Sequence, residues 1–130
     1  MTVISFDPGV TTGIAVIGAG RDVLYTCAVR TIEEVDEQIA FLQKVYSESR
    51  QVAELPPTSG HYRQHTQQVE ERIRSAFPDV EWVPPGSWKR HPASDFSDLR
   101  GKTQHEKDAA GLGRWFRKTR RIGVTEHGKR

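Results

Sequence analysis

The sequence lacks most of the features that mark secreted, membrane-spanning and multidomain proteins. Its 130 residues contain a single cysteine, Cys27, which excludes an internal disulfide and a cysteine-rich zinc site. No segment reaches the about 18–20 consecutive apolar residues of a membrane span, and Asp7 interrupts the N-terminal apolar stretch too early for a signal peptide. We therefore expect one soluble, cytoplasmic domain, too small for an enzyme that closes two large lobes around its substrate.

An excess of either charge is also absent, because 19 basic and 17 acidic residues leave a net charge of +2. The two signs are nevertheless unevenly distributed. Residues 31–48 hold five acidic residues and one lysine, whereas residues 114–130 hold seven basic residues and one glutamate. This pattern predicts a folded domain over residues 1–116 and a basic tail over residues 117–130, which is either solvated or able to lie on phosphates.

Turn residues and hydrophobic spacing predict secondary structure in the order β-β-β-α-β-α-β-α. Thr31 and Glu34 have the spacing of a capping box at the start of the first helix. The order is typical of a mixed α/β fold whose first three strands are antiparallel, and residues 87–103 are predicted to be a loop. Strands are predicted at residues 2–6, 14–17, 23–29, 51–55 and 80–83, and helices at residues 32–46, 62–77 and 105–116.

Three acidic side chains occupy positions from which one site could collect them. Asp7 follows the first predicted strand, Glu54 lies near the end of the fourth, and Asp108 lies on the last helix. His105 stands three residues before Asp108, so the two side chains share one face of that helix. Glu54 is flanked by apolar residues, and a buried lone carboxylate is costly. We therefore expect Glu54 to be paired, bound to a metal or exposed at an edge.

Carboxylates of this kind are the hard oxygen ligands that suit Mg²⁺ or Mn²⁺. Two such ions, roughly 4 Å apart, activate a water molecule and stabilise the leaving oxygen when a phosphodiester is hydrolysed. Each acid alone also has an ordinary explanation: Asp7 starts a turn, Glu54 sits on an edge strand, and Asp108 is a surface residue of a helix. Only the combination of the three indicates a metal site.

An apolar strand, an Asp-Pro-Gly turn and a Gly-led second strand open the chain, as Ile4-Ser5-Phe6-Asp7-Pro8-Gly9 and Thr12-Gly13-Ile14-Ala15. This opening resembles that of the RuvC-type Holliday-junction resolvases of the RNase H-like nuclease superfamily. Val52-Ala53-Glu54 is similar to the acidic position of that family's fourth strand. His105-Glu106-Lys107-Asp108-Ala109-Ala110 is similar to its C-terminal helix motif. The resemblance covers residues 1–17, 51–57 and 80–116, and it implies an RNase H-like fold.

The resemblance further implies a two-metal endonuclease that hydrolyses phosphodiesters in branched DNA. Asp7, Glu54, His105 and Asp108 would be its catalytic and metal-binding residues, with two Mg²⁺ or Mn²⁺ ions and no nucleotide cofactor. His105 departs from the family, in which many members have Asp at this position, and makes Mn²⁺ more plausible. Cutting two strands of a fourfold junction implies a homodimer. The short chain suits a phage-type version, active in a bacterial or phage-infected cell.

Basic and aromatic residues then acquire a role in contacting DNA. Salt-sensitive, sequence-independent contacts to phosphates are expected from the helix at residues 62–77 and from the loop that follows the last strand. Tyr62 or Trp88 could stack on an unpaired base. Packing against the core is the alternative, and it is expected more for Trp82 than for Trp88. The expected nucleic-acid-binding residues are Arg63, Arg72, Arg74, Trp88, Lys89, Arg90 and Lys102.

Two other functions stay open at the level of the sequence. A nuclease on the same scaffold could act on flaps or on RNA–DNA hybrids, and no residue separates these substrates from a junction. A non-catalytic module would hold nucleic acid or a protein partner without cutting, although a degenerate copy would tend to lose one of the three acids. Residues 123–129 resemble the start of a phosphate-binding loop, but Arg130 stands where that motif needs Ser or Thr.

Overall fold

Strands and helices follow one another in the predicted order. The structure is a computed structural model, and it describes residues 1–61 and 63–123. Within these residues there are five strands, three α-helices and two short 3₁₀ turns at Pro85–Ser87 and Pro92–Ser94. The strands are β1 (Thr2–Asp7), β2 (Thr12–Ile17), β3 (Val23–Val29), β4 (Ser49–Glu54) and β5 (Glu81–Val83), and the helices are α1 (Ile32–Val45), α2 (Arg63–Ala76) and α3 (Gln104–Thr119).

The strands form one mixed sheet in the order β3-β2-β1-β4-β5. β2 pairs antiparallel with both β1 and β3, which confirms the predicted antiparallel start. β4 pairs parallel with both β1 and β5. The edge at which β1, β4 and β5 end and β2 begins is called the carboxyl edge below. The turn between β2 and β3 lies at the opposite edge, called the amino edge.

Helices cover both faces of this sheet, which explains why every residue of β2 is buried. Side chains alternate between the two faces along a strand. In β1, Ile4 and Phe6 pack with residues of α1 and α2, whereas Val3 packs with residues of α3. The core therefore has two layers, with α1 and α2 on one side and α3 alone on the other.

The first helix begins where its sequence predicts. Thr31 accepts a hydrogen bond from the backbone N–H of Glu34, and the Glu34 side chain accepts one from the backbone of Thr31. This reciprocal capping box satisfies two backbone donors that the first turn leaves without helical partners. Val35, Ile39 and Leu42 form the buried stripe.

The last helix is longer than predicted. It starts one residue before His105 and continues past Phe116 to Thr119, so Arg117 and Lys118 belong to α3 rather than to a separate tail. Arg117 is 8% exposed and donates a hydrogen bond to the carbonyl of Met1 over 2.8 Å. Residues 124–130 of the predicted tail lie outside the described residues. None of the described helices is long and apolar enough to cross a membrane.

The segment between β5 and α3 is irregular, as predicted, but it is held closely against α3. Arg114, 4% exposed, donates from two guanidinium nitrogens to the two carboxylate oxygens of Asp98, each over 2.8 Å. The same side chain donates to the backbone carbonyls of Arg21 and Asp95, each over 3.0 Å. These contacts join the β2–β3 turn, the irregular segment and α3 into one unit.

Candidate functional site

Two of the predicted acids end adjacent strands at the carboxyl edge. Asp7 is the last residue of β1 and Glu54 is the last residue of β4. The parallel register pairs Phe6 with Ala53, the residues directly before the two acids. Asp7 and Glu54 therefore lie side by side on adjacent strands. Because Phe6 and Ala53 face α1 and α2, alternation turns Asp7 and Glu54 to the face on which α3 lies.

A glycine in β2 allows the start of α3 to lie close to these acids. Gly13 is the antiparallel partner of Asp7 in β2. A Cβ atom at position 13 would lie 2.0 Å from the backbone oxygen of His105, a contact that no side chain can make. The missing side chain thus lets the first turn of α3 lie directly against β2. His105 and Asp108 are carried to the carboxyl edge by this contact.

Two further contacts fix α3 along the sheet. The Ser5 hydroxyl of β1 donates a hydrogen bond to the backbone carbonyl of Ala109 in the buried layer. A Cβ at Gly113 would lie 2.7 Å from Cγ1 of Ile17, so the helix also approaches β2 closely one turn further on. Asp108 directly precedes Ala109, and its position relative to β1 is therefore set by backbone contacts.

The three acids act on one another electrostatically. Burial, followed by the negative charges of Glu54 and Asp108, raises the pKa of Asp7 from 3.8 to about 8, against a smaller opposing effect from Lys89. A protonated Asp7 carboxyl also hydrogen-bonds with the Glu54 side chain. At neutral pH one proton is therefore retained within this group of acids.

Glu54 has two further partners. The indole Nε1–H of Trp88 donates to Glu54 Oε1 over 3.0 Å, and the Lys89 ammonium nitrogen lies 4.0 Å from the same oxygen. Trp88 is 1% exposed, so the expectation that it stacks on a base is wrong: the ring is part of the core beneath α3. Trp82 does pack against the core beside α1 and α2, but it is only partly buried, so the expected ranking of the two tryptophans is reversed.

His105 and Asp108 are placed differently from each other. Asp108 is partly buried and accepts a hydrogen bond from Gln104 Nε2 over 2.9 Å. His105 is exposed, and its imidazole forms no hydrogen bond or ion pair with Asp7, Glu54 or Asp108. The structure therefore groups three of the four predicted residues and leaves His105 at the rim.

The chemistry of the three acids fits a hard divalent cation, although their side chains do not close around one point. Among residues 1–61 and 63–123, no three His, Cys, Asp or Glu side chains converge as a metal-binding group. Carboxylate oxygens are the ligands that Mg²⁺ and Mn²⁺ prefer. Burial and, after it, the charges of Glu54 and Asp108 raise the pKa of Asp7, and a dication is the partner that would stabilise its charged form.

The basic residues predicted on α2 already have acidic partners. Arg63 and Arg74 both pair with Glu70, the latter over 3.9 Å, and Arg72 lies 3.3 Å from Asp36 of α1. Since α2 connects two parallel strands, it runs from the carboxyl edge to the amino edge. Arg72 and Arg74 therefore lie at the end of α2 that is remote from the acids. Of the three arginines, only Arg63 lies at the end near the acids.

Lys89, Arg90 and Lys102 remain as exposed cations near the site. The first two follow β5, which ends at the carboxyl edge, and Lys102 precedes α3, which begins there. Lys89 is the one in contact with the site, through Glu54. Tyr62 lies outside the described residues.

Two supports of this site, Gly13 and the Trp88 hydrogen bond, were not predicted from the sequence. The Asp7–Gly13 pairing was readable from the hairpin, but the contact between Gly13 and the backbone of His105 joins segments about ninety residues apart and left no local pattern. A tryptophan within an aperiodic segment likewise gave no sign of burial.

Comparisons with known proteins yield matches among solved structures. One is described as Thermus thermophilus RuvC in complex with Holliday junction substrate, with a TM-score of 0.76, 15% sequence identity and coverage of 95% of this chain and 97% of that chain. Another, described as the Thermus thermophilus RuvC structure, has a TM-score of 0.65, 16% identity and the same coverages of 95% and 97%. No family model and no curated protein matches the sequence.

These similarities confirm the predicted fold. The element order and the mixed sheet of this chain match RuvC structures over nearly the whole length of both chains. The chain has an RNase H-like fold, as its opening motif and strand order predicted.

Proposed function

We propose that this protein is a metal-dependent endonuclease that cuts branched DNA of the Holliday-junction type. The observation that carries the proposal is the meeting of Asp7, Glu54 and Asp108 at the carboxyl edge, with the pKa of Asp7 raised to about 8 by burial and by the other two charges. A carboxylate with a strongly raised pKa, grouped with other acids, is typical of functional sites. The fold supports the substrate class, because one similar structure is described as RuvC with a Holliday junction substrate.

In this proposal Asp7, Glu54 and Asp108 hold Mg²⁺ or Mn²⁺, as two ions, and His105 is a fourth ligand or a proton carrier at the rim. The ions supply Lewis-acid stabilisation of charge at the reacting phosphate. Asp7 must give up its proton before it can act as a ligand. Trp88 holds Glu54 in a fixed orientation through the 3.0 Å hydrogen bond, which is the role of an outer support in a metal site.

The DNA would approach across the exposed rim formed by Lys89, Arg90 and Lys102. Such contacts to phosphates position the backbone without reading its sequence. Arg63, which starts α2 at the same edge, is a weaker contributor because Glu70 already pairs with it. Cutting both strands of a fourfold junction requires two sites, so a two-fold homodimer in the cytoplasm of a bacterial or phage-infected cell completes the proposal.

The test is cleavage of labelled four-way junction, flap, RNA–DNA hybrid and linear duplex substrates in Mg²⁺ and in Mn²⁺. The wild-type chain is compared with Asp7→Asn and with Asp79→Asn, an exposed acid after α2 that serves as a matched control. Paired, symmetric nicks in the junction that Asp7→Asn alone abolishes would support the proposal. Full activity of Asp7→Asn would contradict the metal site. Cutting of flaps or hybrids alone would show that the substrate is not a Holliday junction.

A non-catalytic binding module is the second candidate. It is favoured by one observation: the described His, Cys, Asp and Glu side chains do not converge as a metal-binding group. Salt-sensitive binding of branched DNA with no cleavage in either metal would establish this alternative. Restored cleavage in His105→Asp would then show that the histidine is what disables the site.

A further inference from the structure

A second charged region lies at the amino edge, away from the acids. A cavity of about 850 Å³ opens there between the β2–β3 turn, the 3₁₀ turn at Pro92–Ser94 and the end of α3. Arg117 lies nine positions after Asp108 on the same helix, which is about 14 Å at 1.5 Å per residue. This cavity is therefore spatially distinct from the candidate metal site.

The lining of the cavity is strongly basic. Among the described residues that line it, every charged side chain is cationic and none is Asp or Glu. Arg114 has a counterion in Asp98, whereas the other four form no ion pair with an Asp or Glu among residues 1–61 and 63–123. His91 adds a titratable ring at the same wall. The five cations are Arg21, Arg114, Arg117, Lys118 and Arg121.

Arg117 is the residue that most requires a ligand. It is 8% exposed, and its hydrogen bond to a described residue is the one from Nη1 to the carbonyl of Met1. A buried guanidinium without a carboxylate is costly, because a backbone carbonyl does not balance its charge. Its Nη2 lies beside Gly123, which lines the cavity: a Cβ at that glycine would be 2.7 Å away from it. The remaining donors thus border the cavity.

The walls are held in place before any ligand arrives. Arg21 donates to the carbonyl of Ala93 over 3.0 Å, and Arg114 donates to the carbonyl of Arg21 over 3.0 Å. These bonds tie the β2–β3 turn to the 3₁₀ turn and to α3. Guanidinium groups fixed in this way lose little freedom on binding an oxyanion, and their planar donors match phosphate geometry.

The helix dipole explains only part of this charge. Cations near a helix C-terminus are favoured by the partial negative charge there, which accounts for an exposed residue such as Lys118. It does not account for Arg117, which is buried, or for Arg21, which comes from the β2–β3 turn. A separate anionic partner accounts for the buried charge of Arg117, and Arg21, held by the carbonyl of Ala93, adds its own charge to the same cavity.

We propose that this cavity binds phosphate groups, supplied either by a DNA backbone or by a free polyphosphate. The inference goes beyond the proposed nuclease activity, since it needs neither the acids nor cleavage. If DNA is the source, a second segment of the same substrate contacts the amino edge while the carboxyl edge holds the reacting phosphate.

The test uses paired neutral substitutions in the full chain. Lys118→Gln with Arg121→Gly removes two exposed cations from the cavity, and glycine suits position 121 because its φ is +56°. Arg30→Gln with Lys44→Gln removes two exposed cations beside and on α1 and serves as the control. Circular dichroism checks that both variants are folded.

Two measurements distinguish the phosphate sources, both in EDTA so that cleavage plays no part. In the first, binding of labelled four-way junction is titrated with salt, and the cavity variant is expected to lose about 0.9 of the log–log slope for each phosphate contact removed. In the second, millimolar tripolyphosphate is expected to raise the melting temperature of the wild-type and control chains but not of the cavity variant.

Each outcome decides the proposal. A shallower salt slope in the cavity variant alone identifies the DNA backbone as ligand. A lost tripolyphosphate shift with an unchanged DNA slope, or with no DNA binding by any chain, identifies a free polyphosphate. Wild-type behaviour of the cavity variant in both measurements overturns the inference, whatever the cleavage assay shows.

Discussion

The two ends of α3 use charge in opposite ways. At its start, Asp108 faces Asp7 and Glu54, and burial with mutual repulsion raises the pKa of Asp7 to about 8. Near its end, Arg114 meets Asp98 through two hydrogen bonds of 2.8 Å, and this partner lowers the pKa of Asp98 to about 2. The contact among the acids keeps like charges together, whereas the contact between Arg114 and Asp98 neutralises a buried charge.

The difference separates what the fold needs from what a function needs. Arg114 joins three segments through Asp98 and the carbonyl of Arg21, and these contacts favour the folded chain. The three acids do the reverse, because bringing carboxylates together in a partly buried place lowers stability unless a cation or proton is taken up. Sites that lower stability in this way are retained for function, which is why the acidic end is the better candidate for the active site.

The largest effect is expected from Gly13→Ala, which tests whether the acidic end depends on close backbone contact. The new methyl group would lie 2.0 Å from the His105 carbonyl oxygen, so α3 must move away from β2. Overpacking costs about 1–3 kcal/mol and more against rigid backbone, so we expect the melting temperature to fall on the order of 10 °C and cleavage to be lost. Thermal unfolding and the junction assay measure both.

Gly86→Ala is the matched control for this change. A Cβ at position 86 would have no neighbour within 4 Å, so the same chemical change should leave stability and cleavage near the wild-type values. A Gly13→Ala chain that melts with the control would show that α3 does not rest on β2 at this point. The structural explanation for the position of Asp108 would then be wrong.

Asp7→Asn tests the claim that the acids lower stability. Below about pH 4 Asp7 is protonated in both states; between about pH 4 and pH 8 the unfolded chain releases the proton while the folded chain retains it. The free energy of unfolding therefore falls as pH rises through that window, and the loss is complete above it. Asparagine has no such proton, so the variant should melt higher than the wild type at pH 7.5 and similarly at pH 4.

Bound metal is expected to reverse the order of the melting temperatures of the wild type and Asp7→Asn. Mg²⁺ or Mn²⁺ should raise the melting temperature of the wild type by binding the folded state and leave Asp7→Asn unchanged. Melting curves at several pH values, with EDTA or with metal, provide the measurement, and Asp79→Asn again controls for removal of a surface charge. A variant that melts below the wild type at pH 7.5 in EDTA would contradict the repulsion.

The sequence predicted the acidic end better than the basic end, for a physical reason. Asp7 and Glu54 follow apolar strands, and strand ends are visible in local hydrophobic patterns, as is the capping box of Thr31 and Glu34. The order of the elements then determined which strand ends meet. These parts of the fold and of the site could be predicted because they depend on residues that are close together in the sequence.

The partners that the sequence did not reveal are distant along the chain. Trp88 was predicted to contact DNA as part of a basic loop, but packing under α3 buries it to 1% exposure. Arg72 was predicted to contact phosphates; it lies 3.3 Å from Asp36 on a different helix, and its contact with DNA stays a prediction. In both cases the chemical type of the residue was read correctly and its partner depended on tertiary packing.

The smallest effect is expected from Trp88→Phe, which asks whether the acidic end also needs a fixed orientation of Glu54. Phenylalanine retains an aromatic ring in the core but removes the 3.0 Å hydrogen bond to Glu54. We expect cleavage to fall about tenfold, in the range known for such outer supports, and half-maximal activity to need more Mg²⁺. A metal titration of the cleavage rate gives both quantities. Trp115→Phe removes a comparable ring, 6% exposed, from the same layer of the core without touching Glu54, so a purely structural role predicts equal losses in the two variants. A shifted metal requirement in Trp88→Phe alone would make Trp88 a positioning residue, because stability lost to packing would not change how much metal Glu54 needs.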